Sequence, residues 1–216
     1  MLKKILCVGY REWSVKIYRK LEKNKKFKVK IIKKNENLKL EEIKKFNPDL
    51  ILFYGWSKKV NINIITKYKS YMLHPSNLPK FRGGSPIQNQ IIRGITKTKL
   101  TLFRMNGILD GGNILKKIPI SLDGNINNIF EEIYEKGLLM TKELLKNRLK
   151  EKKQILKLGS IYKRRKEAES EITLKEIKTK SSVYLYNKIR MLTDPYPNAF
   201  IKCKDNKKLY IIGVKL

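Results

Sequence analysis

Apolar residues in the first third of the chain form short runs, and between these runs they recur every three or four positions. The runs predict strands at positions 3–8, 48–54 and 71–73, and alternation of apolar and polar residues predicts a further strand at 27–32. The intervening segments predict helices at positions 13–21, 38–46 and 62–68. Strands that alternate with helices at this spacing favour an α/β fold with a doubly wound, mostly parallel sheet.

The rest of the chain predicts the end of this domain and a smaller appendage. Strands are expected at 100–105 and 114–120, and a long amphipathic helix is expected at 125–149. We therefore predict a first domain at 1–150, a basic linker at 151–175 and a small C-terminal subdomain at 176–216. That subdomain should contain one helix followed by a hairpin-like pair of strands.

One loop, at positions 74–86, begins with His74, the only histidine of the protein. Ser85, Pro86 and Gln88 predict a helix start, with Ser85 as the N-cap, Pro86 at the first helical position and Gln88 completing a capping box. In open α/β folds, active sites lie where a strand ends and a helix begins. A single histidine can equally be a buried residue with satisfied hydrogen bonds.

A second loop, at positions 106–115, places one carboxylate, Asp110, between an apolar pair and two glycines. Asp before glycine is by itself only a turn signal. Taken together, His-Pro-Ser-x-Leu-Pro-x-x-Arg-Gly starting at His74 and Leu-Asp-x-Gly-x-Ile around Asp110 resemble the folate-dependent formyltransferases. The resemblance covers nearly the whole chain.

Three further motifs resemble the branch of these enzymes that acts on amino sugars. They are Gly-Tyr-Arg-x-Trp at 9–13, Gly-Trp-Ser at 55–57 and Arg-Gly-Gly-Ser-Pro-x-Gln-Asn at 82–89. Positions 189–200 resemble the opening of the C-terminal region of methionyl-tRNA and aminoarabinose formyltransferases. The resemblance implies formyl transfer from 10-formyltetrahydrofolate to the primary amine of a nucleotide-linked amino sugar, in the biosynthesis of surface polysaccharides such as O-antigen.

The resemblance implies that His74 and Asp110 are catalytic. His74 would donate to a developing oxyanion and move protons near neutral pH, and Asp110 would orient the histidine or accept the proton of the amine. The family usually has Asn two residues before the histidine, where this chain has Met72. Loss of one oxyanion donor costs roughly two to three orders of magnitude in rate. Either another donor replaces it, His74 acts alone, or the activity is weakened.

The resemblance also implies two binding regions, and no metal. Backbone groups of two loops would hold the pterin ring of the folate, at Tyr54, Gly55, Trp56, Ser57, Asn106, Gly107, Ile108 and Leu109. The acceptor would bind near Tyr10, Arg11, Trp13, Ser76, Arg82 and Gln88. As alternatives, Trp56 can be a core aromatic residue, and Arg11 and Arg82 can be ordinary surface charges.

The chain carries 50 Lys and Arg against 19 Asp and Glu, a formal net charge of +31. Such a charge can indicate nucleic-acid binding. The positive residues are mostly lysines spread along the chain, however, whereas base-reading sites favour arginine. A compositional bias is the better interpretation, and an anionic substrate would still be attracted. An RNA-binding protein, or a methionyl-tRNA formyltransferase-like enzyme, stays open as the alternative.

Cys7 and Cys203 lie far apart and form neither a metal motif nor a disulfide framework, which favours a reduced, cytoplasmic protein. No apolar run approaches membrane-spanning length. The C-terminal segment is too small to bury its own apolar side chains. Because the sugar formyltransferases that the chain resembles are commonly dimers, we expect a homodimer through this segment. Docking of the segment on its own first domain is the alternative.

Overall fold

A six-stranded sheet forms the centre of the computed structural model, which describes residues 2–216. Within this range the strands are β1 (Lys3–Val8), β2 (Phe27–Ile32), β3 (Leu50–Tyr54), β4 (Ser70–His74), β5 (Arg82–Gly83), β6 (Lys97–Arg104), β7 (Ile114–Ser121), β8 (Ile161–Tyr162), β9 (Ala199–Lys202) and β10 (Lys208–Ile211). The α-helices are α1 (Glu12–Glu22), α2 (Leu40–Phe46), α3 (Ile62–Lys67), α4 (Pro86–Ile91), α5 (Ile126–Leu145), α6 (Leu174–Thr179) and α7 (Ser182–Arg190).

The main sheet has the strand order β2, β1, β3, β4, β6 and β7. Strands β1 to β4 pair in parallel, and β6 is antiparallel to both of its neighbours. Only β6 therefore runs against the others. This arrangement confirms the predicted α/β fold with a mostly parallel sheet. The structure also has a small antiparallel pair, β9 with β10, near the C-terminus.

Side chains of the central strands alternate between two apolar layers. On β1, Ile5 and Cys7 join the layer that includes residues of α1, α5 and α7. Leu6 and Val8 join the opposite layer, which includes residues of α2 and α3. Helices on both faces explain why β3, and β1 from Ile5 onward, are buried at every position instead of at every second one.

The strand order of the sheet changes direction at β1, because β2 lies on one side of β1 and β3 lies on the other. In open α/β sheets, such a switch point leaves a crevice beyond the carboxyl ends of the two strands. The loops after β1 and β3 diverge here, and β4 ends beside them at His74. The candidate site lies at this edge of the sheet.

Helix α4 begins where the sequence predicted, with Pro86 at its first turn, but the predicted capping box is wrong. Ser85 adopts a left-handed conformation (φ 49°) and its hydroxyl does not cap the helix. Instead, Ser85 Oγ accepts a hydrogen bond from the backbone N–H of Arg165 at 3.1 Å. Gln88 is buried, and its side-chain amide has no hydrogen-bond partner within residues 2–216. A long-range contact has replaced the local one.

The C-terminal segment packs on its own chain. Ile189 and Leu192 belong to the same apolar layer as the first domain. The buried Arg190 guanidinium donates to the backbone carbonyls of Leu122 and Gly124 at 2.7 and 2.8 Å. This is the alternative that the sequence left open. The boundaries at 150 and 175 stay predictions, although the segments beyond them share the core of the first domain.

Several apolar side chains at the C-terminus remain exposed, including Leu209, Tyr210, Ile212 and Leu216. The expected homodimer stays a prediction. If it forms through the C-terminal segment, these exposed side chains would form the interface, because the end of α7 is covered by its own chain. Within residues 2–216, none of the helices combines the length and apolar character required to cross a membrane.

Candidate active site

A cavity of about 1420 Å³ opens at the carboxyl ends of β1, β3 and β4. Pockets that hold one small-molecule ligand typically measure about 300–1,000 Å³. The cavity is larger than this range, so it has room for two substrates side by side. Both His74 and Asp110 line it, although each side chain is more than 90% buried.

His74 is the last residue of β4, and its ring is held by its own loop. Ring atom Nε2 lies 2.8 Å from the backbone carbonyl oxygen of Phe81. Because a carbonyl oxygen can only accept, Nε2 carries the proton in this contact. The other ring nitrogen, Nδ1, therefore faces Asp110, with Oδ2 of that carboxylate 3.6 Å away. This separation suits an ion pair or a proton shared through a substrate group, and is too long for a direct hydrogen bond.

Asp110 reaches His74 by an indirect route. Strand β6 is antiparallel to β4, so it ends beside Tyr71 at the opposite end of β4 from His74. The loop that follows must run back along the sheet to bring Asp110 to the histidine. At its tip, Asp110 adopts φ 46°, and its Oδ2 accepts a hydrogen bond from the backbone N–H of Gly83 at 2.7 Å. The two sequence motifs are thus joined directly.

Two glycines allow the Asp110 loop and the histidine loop to approach each other this closely. Gly83 has φ 94°, and a Cβ there would lie 2.4 Å from the carbonyl oxygen of Tyr162. A Cβ on Gly112 would lie 1.7 Å from the carbonyl oxygen of Arg104. Neither position can carry a side chain without moving backbone. The glycines of both motifs therefore serve the close approach of backbone segments around the catalytic pair.

Hydrogen bonds within the histidine loop, and from side chains of β6 and β7, hold this loop in place. The Ser76 hydroxyl donates to the carbonyl of Lys80 at 2.7 Å, and the Thr101 hydroxyl of β6 donates to the carbonyl of Ser76 at 2.6 Å. Lys117 of β7 donates to the side-chain oxygen of Asn77 at 2.7 Å and to the carbonyl of Leu78. Partial burial, together with the nearby Lys99 and Lys152, lowers the pKa of Lys117.

The two loops assigned to the pterin ring face the cavity, with one exception. Gly55, Trp56 and Ser57 line it, and so do the four residues from Asn106 to Leu109. Tyr54 does not line it. Its side chain is fully buried, and its backbone N–H donates to the Tyr18 hydroxyl at 2.8 Å. The Tyr54 side chain is therefore part of the core, and a contact of its backbone with the pterin ring stays a prediction.

The residues assigned to the acceptor divide into two groups. Arg11 and Trp13 line the cavity, whereas Tyr10 is exposed beside it, with its ring 5.8 Å from that of Trp56. The other three also do not line the cavity, and their side chains are buried within the histidine loop or in α4. They are Ser76, Arg82 and Gln88.

Sequence reasoning missed two parts of the cavity wall. Residues 161–164, assigned to the linker, pair with the histidine loop through β8 and β5 and line the cavity. Tyr196, beyond α7, lies across from the end of β1, with the Arg11 guanidinium 4.8 Å from the centre of its ring. The basic linker carries no sequence signal for this placement, and Tyr196 lies within positions 189–200, whose resemblance to a C-terminal region gives it no role in the site.

Met72 shares a face of β4 with His74 and also lines the cavity. It is half-buried and packs against the apolar layer that contains Trp56 and Ile64. The side chain that replaces the family's usual asparagine thus sits within the site. It supplies an apolar contact where a hydrogen-bond donor is expected.

The model of the formyl transferase family matches residues 6–155. Among curated proteins, a methionyl-tRNA formyltransferase of Sulfurihydrogenibium sp. (strain YO3AOP1) is 30% identical over 198 residues, 88% of this chain and 61% of the relative. The bifunctional polymyxin resistance protein ArnA of Wigglesworthia glossinidia brevipalpis is 32% identical over 207 residues, 90% of this chain and 31% of that protein. The chain thus spans less than two thirds of the length of these relatives.

Solved structures share the fold. A methionyl-tRNA formyltransferase from Clostridium thermocellum superposes with a TM-score of 0.86 at 32% identity, covering 97% of both chains. A 4-N formyltransferase from Francisella tularensis has a TM-score of 0.77 at 16% identity and covers 97% of this chain and 96% of its own. HypX from Aquifex aeolicus in complex with tetrahydrofolic acid has a TM-score of 0.78 at 18% identity and covers 97% of this chain and 37% of its own.

Proposed function

The chain belongs to the formyl transferase family, and on that premise we propose that it transfers a formyl group from 10-formyltetrahydrofolate to the primary amine of a nucleotide-linked amino sugar. The observation that carries formyl transfer is the His74–Asp110 pair at a cavity large enough for two substrates. A role in surface polysaccharide synthesis, a cytoplasmic location and a homodimer belong to the same proposal.

The pair divides the chemistry of formyl transfer between its members. The reaction needs a donor for the negative charge that develops on the carbonyl oxygen and an acceptor for the proton of the amine. His74 keeps its Nε2 proton on the carbonyl of Phe81, so its Nδ1 edge faces the reacting groups. Nδ1 would donate to the oxyanion, and then to the folate nitrogen whose bond to the formyl carbon breaks, only when the ring carries a second proton. Asp110 has Oδ2 bound to the N–H of Gly83, which leaves Oδ1 to accept the proton.

The residues at the proposed folate site fit such a ligand. The Trp56 indole lines the cavity, and its Nε1–H is buried without a hydrogen-bond partner anywhere in residues 2–216. Buried donors are rarely left unpaired, so this N–H points to an acceptor supplied by a ligand. Gly55 and the loop from Asn106 to Leu109 would hold the ring. When bound, the folate supplies the formyl group; the chain orients it and excludes water.

Arg11 supports a phosphate-bearing acceptor. Its guanidinium lies over the rings of Tyr10 and Tyr196, at 5.4 and 4.8 Å from their centres. No carboxylate within residues 2–216 forms an ion pair with it. Lys163 and Arg164 also line the cavity. An arginine fixed by stacking but free of a carboxylate is suited to bind a phosphate.

The test is incubation of the purified protein with 10-formyltetrahydrofolate and a panel of amino-deoxysugar nucleotides, read by mass spectrometry. We expect one nucleotide sugar to gain the mass of a formyl group. The same panel includes the free amino sugars, which lack the phosphates that Arg11 would bind and should react far more slowly. Equal rates with and without the nucleotide would overturn the phosphate assignment.

A second candidate is methionyl-tRNA formyltransferase. The observation that favours it is the name of relatives that are 30–32% identical to this chain. Methionyl-tRNA therefore belongs in the same panel. Formylation of the tRNA alone would replace the sugar proposal, and no formylation of any amine in the panel would count against formyl transfer itself.

A further inference from the structure

We infer that Gln154, in the segment between α5 and β8, is a positioning residue that holds Asp110 in place beside His74. The inference rests on the proposed role of the pair in formyl transfer. Gln154 is 94% buried and does not line the cavity, so it acts without touching a substrate. Its side-chain Nε2 donates two hydrogen bonds, to the carbonyl of Asp110 at 3.0 Å and to that of Gly112 at 2.6 Å.

The identity of the side chain follows from these partners. Both are carbonyl oxygens, which only accept, so an amide NH₂ with two hydrogens satisfies both at once. The Oε1 atom of Gln154 has no partner within residues 2–216. The contribution of the amide is therefore confined to the two bonds that it makes to the Asp110 loop.

The backbone around Gln154 is tied to the base of the same loop. Lys152 and Ile114 exchange two backbone hydrogen bonds, each of 2.8 Å. The Glu151 carboxylate binds Arg104 and Asn113, each at 3.0 Å. Residues 151–154 thus fasten both ends of the loop at its base, and Gln154 alone extends to the tip that carries the carboxylate.

The tip needs such a contact because its conformation is unfavourable. Asp110 is in the left-handed region, which costs a non-glycine residue free energy and persists only where the surroundings impose it. Within residues 2–216, the Asp110 carboxylate accepts one hydrogen bond, from the N–H of Gly83. Without Gln154, we expect the backbone at Asp110 to relax and its carboxylate to turn away from His74 Nδ1.

Gln154→Met tests this inference, because it keeps the length of the side chain and removes only the two bonds. A reacting group displaced by about 1 Å can cost roughly 100-fold in rate. We expect the turnover number to fall roughly 10- to 100-fold while KM for both substrates changes less than about three-fold. Gln154→Glu, which lacks the N–H donors at neutral pH, should lose a similar amount.

Nuclear magnetic resonance gives a readout that needs no activity. His74 is the only histidine, so its ring C–H signals are identified directly. At constant pH, both Gln154 variants should shift these signals because the neighbouring carboxylate moves. This measurement tests the inference about Gln154 even if the proposed acceptor, or the proposed formyl transfer, is incorrect.

Two controls separate positioning from stability. Thr141→Val removes a buried hydroxyl that bonds the carbonyl of Gly137 at 2.6 Å, within α5. It should lower thermal stability without shifting the His74 signals or the turnover number. Lys153→Ala alters the exposed neighbour of Gln154 and should change nothing. Unchanged His74 signals in both Gln154 variants, or an equal loss of turnover in Thr141→Val, would overturn the inference.

Discussion

The two loops that meet in the site are held in different ways. The side chains at the start of the histidine loop bond within that loop: the His74 ring binds a carbonyl seven residues away, and Ser76 binds one four residues away. Long-range contacts from β6, β7 and β8 hold the rest of the same loop. The Asp110 loop depends on distant partners, since its carboxylate binds Gly83, 27 residues away, and its backbone binds Gln154, 44 residues away. The contact that orients the His74 ring joins residues close in sequence, whereas the contacts that orient Asp110 form only once the sheet and the later segment are in place.

This difference indicates where each half of the site is vulnerable. A change in the histidine loop should alter the chemistry while the local structure persists. A change around the Asp110 loop, even far from the cavity, should alter geometry through lost long-range contacts. The predictions below test that contrast.

Loss of either catalytic group, that of His74 or that of Asp110, should lower turnover equally, although the two loops are held differently. For His74→Ala and Asp110→Asn we expect turnover to fall by about 10³- to 10⁴-fold, because each removes a group that handles a proton or charge in the reaction. Circular dichroism and thermal melting should show folded protein. If either variant unfolds while its remaining native fraction stays fully active, that residue is structural.

Gly112→Ala should disturb the backbone of the Asp110 loop while the Asp110 carboxylate itself is kept. Because the new Cβ would lie 1.7 Å from the carbonyl of Arg104, we expect a loss of about 1–3 kcal/mol in the free energy of unfolding. Turnover should fall with it, since the loop can no longer close on β6. Urea titration and steady-state kinetics measure the two effects.

Gly213→Ala is the matched control, because a Cβ there meets nothing within 4 Å. It should leave both stability and turnover unchanged. Wild-type turnover in Gly112→Ala would show that the loop positions Asp110 without a close approach to β6.

Lys117→Met removes one of the long-range contacts that hold the histidine loop. It removes the hydrogen bonds to Asn77 and Leu78, and we expect turnover to fall by only about ten-fold, less than for a full 1 Å displacement of a reacting group. Lys28→Met on β2, which changes an exposed lysine, is the control and should retain full activity. A loss as large as that of His74→Ala would contradict the view that the contacts of the His74 ring within its own loop are enough to orient it.

The same lysine predicts a pH dependence of stability. Burial lowers the pKa of Lys117, so the folded protein releases this proton at a lower pH than the unfolded chain does. The charged lysine therefore costs stability below the lowered pKa, and the cost disappears as pH rises toward the ordinary lysine value of about 10.4. The stability of wild type relative to Lys117→Met should increase between neutral pH and that value, as measured by urea unfolding. A decrease would contradict the assignment.

Met72→Asn should have the smallest effect. It restores an amide on the face of β4 that carries His74, so we expect turnover at least equal to wild type, with a gain of up to about ten-fold, below the full value of an oxyanion donor. Met72→Leu, which keeps an apolar side chain, should match wild type. A clear loss of turnover in Met72→Asn alone would show that the apolar contact is needed.

The sequence by itself predicted the elements whose signals are local. Strands β1 and β2 occupy the predicted positions residue for residue, because their apolar runs are bounded by polar turns. The position of His74 at the end of a strand followed from the same pattern. The resemblance to a family, which the comparisons confirm, rested on motifs that lie within single loops.

Only the tertiary structure decided which segments meet. The reversal of β6 sends the Asp110 loop back along the sheet, and the segment predicted as a solvated linker supplies Gln154 and part of the cavity wall. Ser85 bonds to Arg165 instead of capping its helix, and Tyr196 lies against Arg11. Periodicity and turn preferences act over a few residues, whereas these contacts join segments that are 27 to 185 positions apart and form only when the apolar layers pack.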